Sequence, residues 1–213
     1  MKTRSKALLL TLCAVLLVAA SVLGTMAYLT STDEVTNTFT VGQVKIKLDE
    51  AKANPDGSLV ANADRVKANE YKLLPGHTYN KDPMVTVLSG SESSYVKMTV
   101  TFSKANELDA IFAPSGADLT SIFNGYDAAK WIAKENTKDA TANTRTYEFW
   151  YKETVGAPTA DVALDALFDS ITVPGTITNE QLATIEGMTI TVNAYAIQAD
   201  GFANAEAAWA AFK

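Results

Sequence analysis

The sequence predicts an all-β fold, a β-sandwich with short helices in one crossover insertion and at the C-terminus. Several runs alternate apolar and polar residues with a period of two, and Pro/Gly turns separate them. Helical spacing is confined to 104–130, to a short stretch after Pro174-Gly175 and to the tail. About seven short strands with turn punctuation and one crossover indicate two packed sheets.

Along 36–48, Phe39, Val41, Val44, Ile46 and Leu48 are set against Thr38, Thr40, Lys45 and Lys47. This is a half-buried strand with a phase slip at Gly42, which reads as a bulge. Asn54-Pro55-Asp56-Gly57 is a turn because Pro fixes φ and Gly accepts a positive φ. Leu74-Pro75-Gly76 is a second turn and opens the apolar stretch 84–88. After a Ser/Gly loop, Val96, Met98, Val100 and Phe102 alternate with Lys97, Thr99 and Thr101, which assigns the apolar set to the interior.

Between 104 and 130 the period changes. Leu108, Ile111 and Phe112 precede a break at Pro114 and Gly116, and Leu119, Ile122 and Phe123 follow it, so two short helices are expected on the crossover. Strands resume at 131–134 and at 144–154, where Tyr147, Phe149 and Tyr151 oppose Glu148, Trp150 and Lys152. Another strand covers 168–173. Thr178-Asn179-Glu180-Gln181 is a capping-box pattern that opens a short helix. The run 188–198 is the longest β-like stretch, with Met188, Ile190, Val192, Ala194 and Ala196 on one face. The Ala-rich tail 204–212 forms a terminal helix anchored through Trp209 and Phe212. No internal repeat or low-complexity linker divides the domain.

The N-terminus has a different character. Lys2, Arg4 and Lys6 precede an apolar run, 7–20, broken only by Thr11, and Ser21, Gly24, Thr25 and Ala27 follow. A charged start, an apolar middle and small residues at the end describe a secretory signal cleaved between Ala27 and Tyr28. The alternative is an uncleaved anchor, since 7–23 reaches the lower limit of about 17 residues for a spanning helix. Cys13 sits mid-run, well before the place of a lipidated cysteine. The chain divides into 1–27 as signal, 28–35 as an extended segment, and 36–213 as the domain. The precursor is expected in the membrane through its signal, and the mature chain outside the cell, at the surface or in the matrix.

Removal of 1–27 lowers the 18 basic residues to 15 against 24 acidic ones, a net charge of −9, which argues against a nucleic-acid partner. It also removes the only cysteine, so no disulfide can staple the domain. Stability must come from a core, and a chain that is 47% hydrophobic can supply one.

Enzyme chemistry has little to work with. His77 is the only histidine, which rules out the paired imidazoles of a zincin. No G-x-S-x-G elbow presents a serine, and no phosphate-cradling glycine loop follows a strand. Asn54, Asp56 and Gly57 have part of a calcium-loop pattern, but Lys52 and Ala63 occupy positions that need carboxylates. Glu148, Glu153, Asp161, Asp165 and Asp169 form an acidic stretch that reads as a solvated face rather than a glycosidase pair. Tyr147, Phe149, Trp150 and Tyr151 offer either a ligand platform or core packing of one parity. No catalytic, cofactor-binding or metal-binding residue is assigned, and no cofactor is expected.

Three features carry a family resemblance. Thr25-Met26-Ala27-Tyr28-Leu29-Thr30 is followed by Phe39-Thr40-Val41-Gly42-Gln43-Val44-Lys45-Ile46; Leu74-Pro75-Gly76 is followed by Lys81-Asp82-Pro83; and the closing strand runs through 190–198. The chain resembles the TasA/camelysin family of secreted bacterial biofilm-fibre proteins with a SipW-type signal peptide. The resemblance implies a jelly-roll sandwich, removal of the signal by a dedicated signal peptidase, and assembly with copies of itself into extracellular fibres. Camelysin is also classed as a metallopeptidase, but this sequence has no metal-ligand constellation to which that activity transfers.

Three functions stand open at this point: a polymerising structural protein of the matrix, a camelysin-like secreted metallopeptidase, and a monomeric cell-surface binding module. The first is the leading expectation, with an accessory matrix or anchoring protein as a further partner. An open sheet edge accepts an extended peptide through main-chain hydrogen bonds. The candidate donor is the new N-terminus, Tyr28, Leu29, Thr30, Ser31, Thr32, Asp33, Glu34 and Val35, freed when the signal is cut.

Overall fold

A computed structural model of the chain describes residues 3–29, 42–112 and 122–212. It separates into two units, Met1–Val41 and Gly42–Lys213.

The first unit contains helix α1, Thr3–Leu29. Its side chains are exposed along 5–19, and apolar residues occupy every side of the helix rather than one stripe. Thr11 Oγ1 satisfies itself on the carbonyls of Ala7 and Leu8, at 3.2 and 3.0 Å, so the hydroxyl does not interrupt the helix. Among the described residues, no helix is long and apolar enough to cross a membrane.

The second unit is mostly β, with three antiparallel sheets and a few short helices. One sheet has the order β1 (Ile46–Asp49), β3 (Met84–Val87), β8 (Val162–Ala163). The largest has the order β10 (Ile190–Gln198), β4 (Ser94–Ser103), β7 (Thr144–Tyr151), β6 (Trp131–Asp139). The third has the order β2 (Thr78–Asn80), β9 (Ser170–Thr172), β5 (Phe123–Asn124). Helices α2 (Ala105–Phe112), α3 (Asn179–Thr184) and α4 (Ala205–Ala211) complete it.

The period-two pattern accounts for the long strands. β4 buries Val96, Met98, Val100 and Phe102, as its parity requires, and β7 buries Tyr147, Phe149 and Tyr151. Phe102 stacks on Phe123 at 5.8 Å between ring centroids, and Phe123 stacks on Phe168 at 4.1 Å. Val85, Val87, Trp131, Leu108 and Leu167 close the same core. The apolar face of β10, from Ile190 to Ala196, is half-buried against it.

Local chemistry sets the ends of the elements. Thr178 and Gln181 form a full capping box on α3, and Asn204 caps α4 through Ala207 N. Gly57 has φ 88°, and a Cβ there would lie 2.7 Å from the Thr78 carbonyl oxygen, so the turn lies too close to β2 for any side chain.

The sequence pattern and the structure differ in places. The strand expected over 36–48 is shorter among the described residues, starting at Ile46, and 36–41 lie outside them. The second crossover helix is not formed at its C-terminal end, where Phe123 pairs with Ile171 in β5; residues 113–121 lie outside the described residues. Ring stacking on Phe102 and Phe168 outweighs the helical spacing of Ile122 and Phe123. β6 continues to Asp139, beyond the expected end at 134, because it forms a hairpin with β7 through a turn in which Asn143 has φ 51°.

Candidate functional site

Among the described residues, the longest uncharged strand lies at a sheet edge. β10 pairs with β4 without a register shift from Ile190↔Phe102 to Gln198↔Ser94. Thr189 O accepts from Ser103 N at 3.0 Å and Ala199 N donates to Ser93 O at 2.7 Å, so the odd-numbered residues bond to β4. Antiparallel alternation then directs the N–H and C=O of Ile190, Val192, Ala194 and Ala196 to the other edge. Among the described residues no strand pairs there. The strand has no charge, Pro or Gly along its length.

A groove of about 1170 Å³ adjoins this edge. Ile190 and Val192 form one side, Leu48 and Glu50 another, and Tyr71, Leu108, Ile171 and Ile185 contribute apolar surface. Across it, the free edge of β1 is closed by its own chain. Glu50 and Val66 exchange backbone hydrogen bonds at 2.9 and 2.8 Å, and Lys67 Nζ donates to the carbonyl of Leu48.

Beneath the groove lies a charged cluster that sequence spacing does not reveal. Arg65 bridges Asp49 at 2.5 Å and Asp82 at 2.7 Å, and it also donates to both backbone carbonyls. Burial raises the pKa of Asp49, but hydrogen bonds and charge from Lys47 and Arg65 outweigh this, so the carboxyl titrates below its usual range. Lys81 Nζ lies 2.6 Å from Glu50 Oε2, with both side chains buried, and Asn69 Nδ2 donates to Glu50 Oε1 at 3.0 Å. Burial, and then the charge of Glu50, raise the pKa of the nearby Tyr71 hydroxyl.

The residues singled out from the sequence take separate places. Ala27, Tyr28 and Leu29 are the last residues of α1, and Thr30, Ser31, Thr32, Asp33, Glu34 and Val35 lie outside the described residues. His77 is exposed beside the 74–76 turn. Asp56 is engaged by Ser58 N at 2.9 Å and by Ser58 Oγ at 2.7 Å as a turn, and its pKa is lowered chiefly by that side chain. Of the acidic stretch, Glu148 pairs with Lys97, Glu153 with Lys130, Asp161 accepts from Ser89 N, and Asp165 accepts from the Tyr151 hydroxyl. No group of three or more metal-ligating side chains occurs among the described residues.

Of the aromatic run, Trp150 alone is on the outer face. Its ring meets Trp209 of α4 at 6.1 Å, and Lys97 Nζ sits 4.8 Å from the Trp209 ring centre. The C-terminal helix therefore covers that side of the sheet. Comparison with protein-family models, with curated proteins and with solved structures finds no match to this chain.

Proposed function

We propose that the protein is an exported structural subunit, a jelly-roll-like β-sandwich that polymerises by donating its N-terminal strand to the next copy. In this reading 1–27 is removed between Ala27 and Tyr28 by a signal peptidase, and the freed segment 28–35 adds to the β10 edge of a neighbour. Polymerisation outside the cell then follows from the timing of the cut, because the donor becomes free only on export.

The observation that carries the reading is the chemistry of β10: nine residues in unbroken register, uncharged, with outward backbone groups and an apolar groove alongside. Such edges are a hazard in a protein that stays monomeric, and they are usually blunted by charge, Pro or a bulge. Lengths agree as well. Eight extended residues span about 26 Å, close to the roughly 30 Å of a nine-residue strand. Tyr28, Thr30, Thr32 and Val35 are strand formers, and Asp33 and Glu34 are the only charged side chains in the segment.

Electron microscopy of protein beginning at Tyr28 tests this. Ordered filaments that disappear when 28–34 are deleted, with the deleted protein still folded, are the expected result. A wild-type protein that remains monomeric under the same conditions would favour a surface binding module instead.

A further inference from the structure

Glu50, Lys81 and Asn69 lie far apart in sequence and converge on one carboxylate. Lys81 Nζ contacts Oε2 at 2.6 Å, and Asn69 Nδ2 contacts Oε1 at 3.0 Å. The carboxamide is also held at its other end, where Asn69 Oδ1 accepts from Ala53 N at 2.9 Å, and Nδ2 donates to Ala51 O at 2.8 Å. Backbone bonds fix Glu50 and Lys81 independently, and Asn69 is held through its carboxamide. Glu50 is paired with Val66 on both sides, and Lys81 N donates to Asp169 O at 3.0 Å. Lys81 and Glu50 are 9% and 4% exposed, so water competes little for either group.

From this arrangement we infer that Lys81 and Asn69 join in an intramolecular isopeptide bond, formed by the protein itself with Glu50 as the proton-transfer group. Glu50 brings together parts that acyl transfer uses: an amine beside a base, a carbonyl whose oxygen faces a backbone N–H, and a leaving nitrogen beside the same carboxyl.

The step balances without an added reactant. Lys81 passes one proton to Glu50 Oε2 and becomes a neutral amine. Its nitrogen attacks Cγ of Asn69, and the negative charge that develops on Oδ1 is met by the Ala53 N–H. A second proton moves from the attacking nitrogen to the leaving nitrogen, the Cγ–Nδ2 bond breaks, and ammonia departs. Nζ keeps one hydrogen in the new amide, and Glu50 ends as the neutral acid. A buried ion pair is thereby exchanged for two uncharged groups, which removes the cost of holding charge away from water. A domain without a cysteine gains a covalent staple between the segment that follows β1 and the end of β2.

Mass spectrometry of the purified full chain tests the bond. The expected mass is lower than that of the sequence by one ammonia. Trypsin should cut after Lys72 and be blocked at Lys81, so a branched peptide should join 68–72 to 73–97. Asn69→Asp should give a product of identical mass by losing water instead, and Glu50→Gln should keep both partners unjoined at full mass. A full mass with separate peptides in the wild-type protein would overturn the inference. So would ammonia loss without the branched peptide, which is a succinimide at Asn69, or an equally cross-linked Glu50→Gln protein. The readout is independent of filament formation, so it stands or falls separately from the proposed assembly.

Discussion

β10 and β6 border the same four-stranded sheet and have the same nine-residue length, but their chemistry is opposite. β6 carries Lys134, Glu135, Lys138 and Asp139, and its register shifts between Ala133 and Glu135. The bulge and the charges are the usual means of keeping an edge from pairing with another chain. Its cations are also engaged: Lys134 lies 4.2 Å from the Trp150 ring centre and 3.2 Å from Glu206, and Lys138 lies 2.8 Å from Asp109. β10 has none of these features. A sheet protected on one edge and open on the other has a single place where an extended strand can add.

The largest expected effect comes from closing the open edge. Ala194→Pro removes one outward N–H and leaves the bonds to β4 in place, because Pro is tolerated where the missing donor faced away from the sheet. Sedimentation and electron microscopy should find a folded monomer that does not elongate. The matched change on the other edge, Glu135→Lys, should leave filaments unchanged. Equal effects from the two substitutions would remove the distinction between the edges.

The next effect lies between the edges, in β4. Phe102→Ala should cost about 3 to 5 kcal/mol in denaturant unfolding, because it empties a site stacked on Phe123 and edge-on to Tyr147. Thr101→Ala loses only a hydroxyl contact of 2.9 Å to Thr146 and should cost about 1 kcal/mol. Equal small losses at both positions would show that the strand's two faces had been assigned wrongly.

Acid should separate the edges more gently. Burial pushes the Asp109 carboxyl up, but Arg145 and Lys138, the latter from β6, outweigh it and hold its pKa below the ordinary value. The stabilisation is therefore present above the unfolded carboxylate pKa of about 3.9 and is lost as pH falls below it toward the folded value. Unfolding midpoints should drop in that window, and Asp109→Asn should flatten part of the drop. β10 has no acidic group, so acid should leave its edge as receptive as before wherever the domain stays folded.

What was legible in the sequence follows the same division. β4, β7 and β10 each have one face toward the core and one toward solvent or α4, so their alternation could be read directly. The capping box at Thr178 and the helix ending in Trp209 and Phe212 were visible for local reasons. β6 beyond 134 was not, because 132–139 are all exposed and an edge strand with two wet faces has no period. β5, only two residues long, is held by Phe123 stacking on residues distant in sequence, which no local pattern encodes. The Glu50, Asn69 and Lys81 cluster was hidden for a related reason: the Glu50–Val66 bridge and the turn around Gly57 bring the three together. That β10 is a strand could be read from its residues, but its position at an edge depends on the pairing of the whole sheet.

Amide hydrogen exchange, resolved by residue along β10, tests the central claim most directly. In the monomer the odd-numbered amides of Thr191, Asn193 and Tyr195 should be protected, and those of Val192, Ala194 and Ala196 should exchange fast. On assembly the second set should become protected while β6 keeps its monomer pattern. Filaments in which Val192, Ala194 and Ala196 still exchange as fast as in the monomer would contradict the assignment of β10 as the receiving edge.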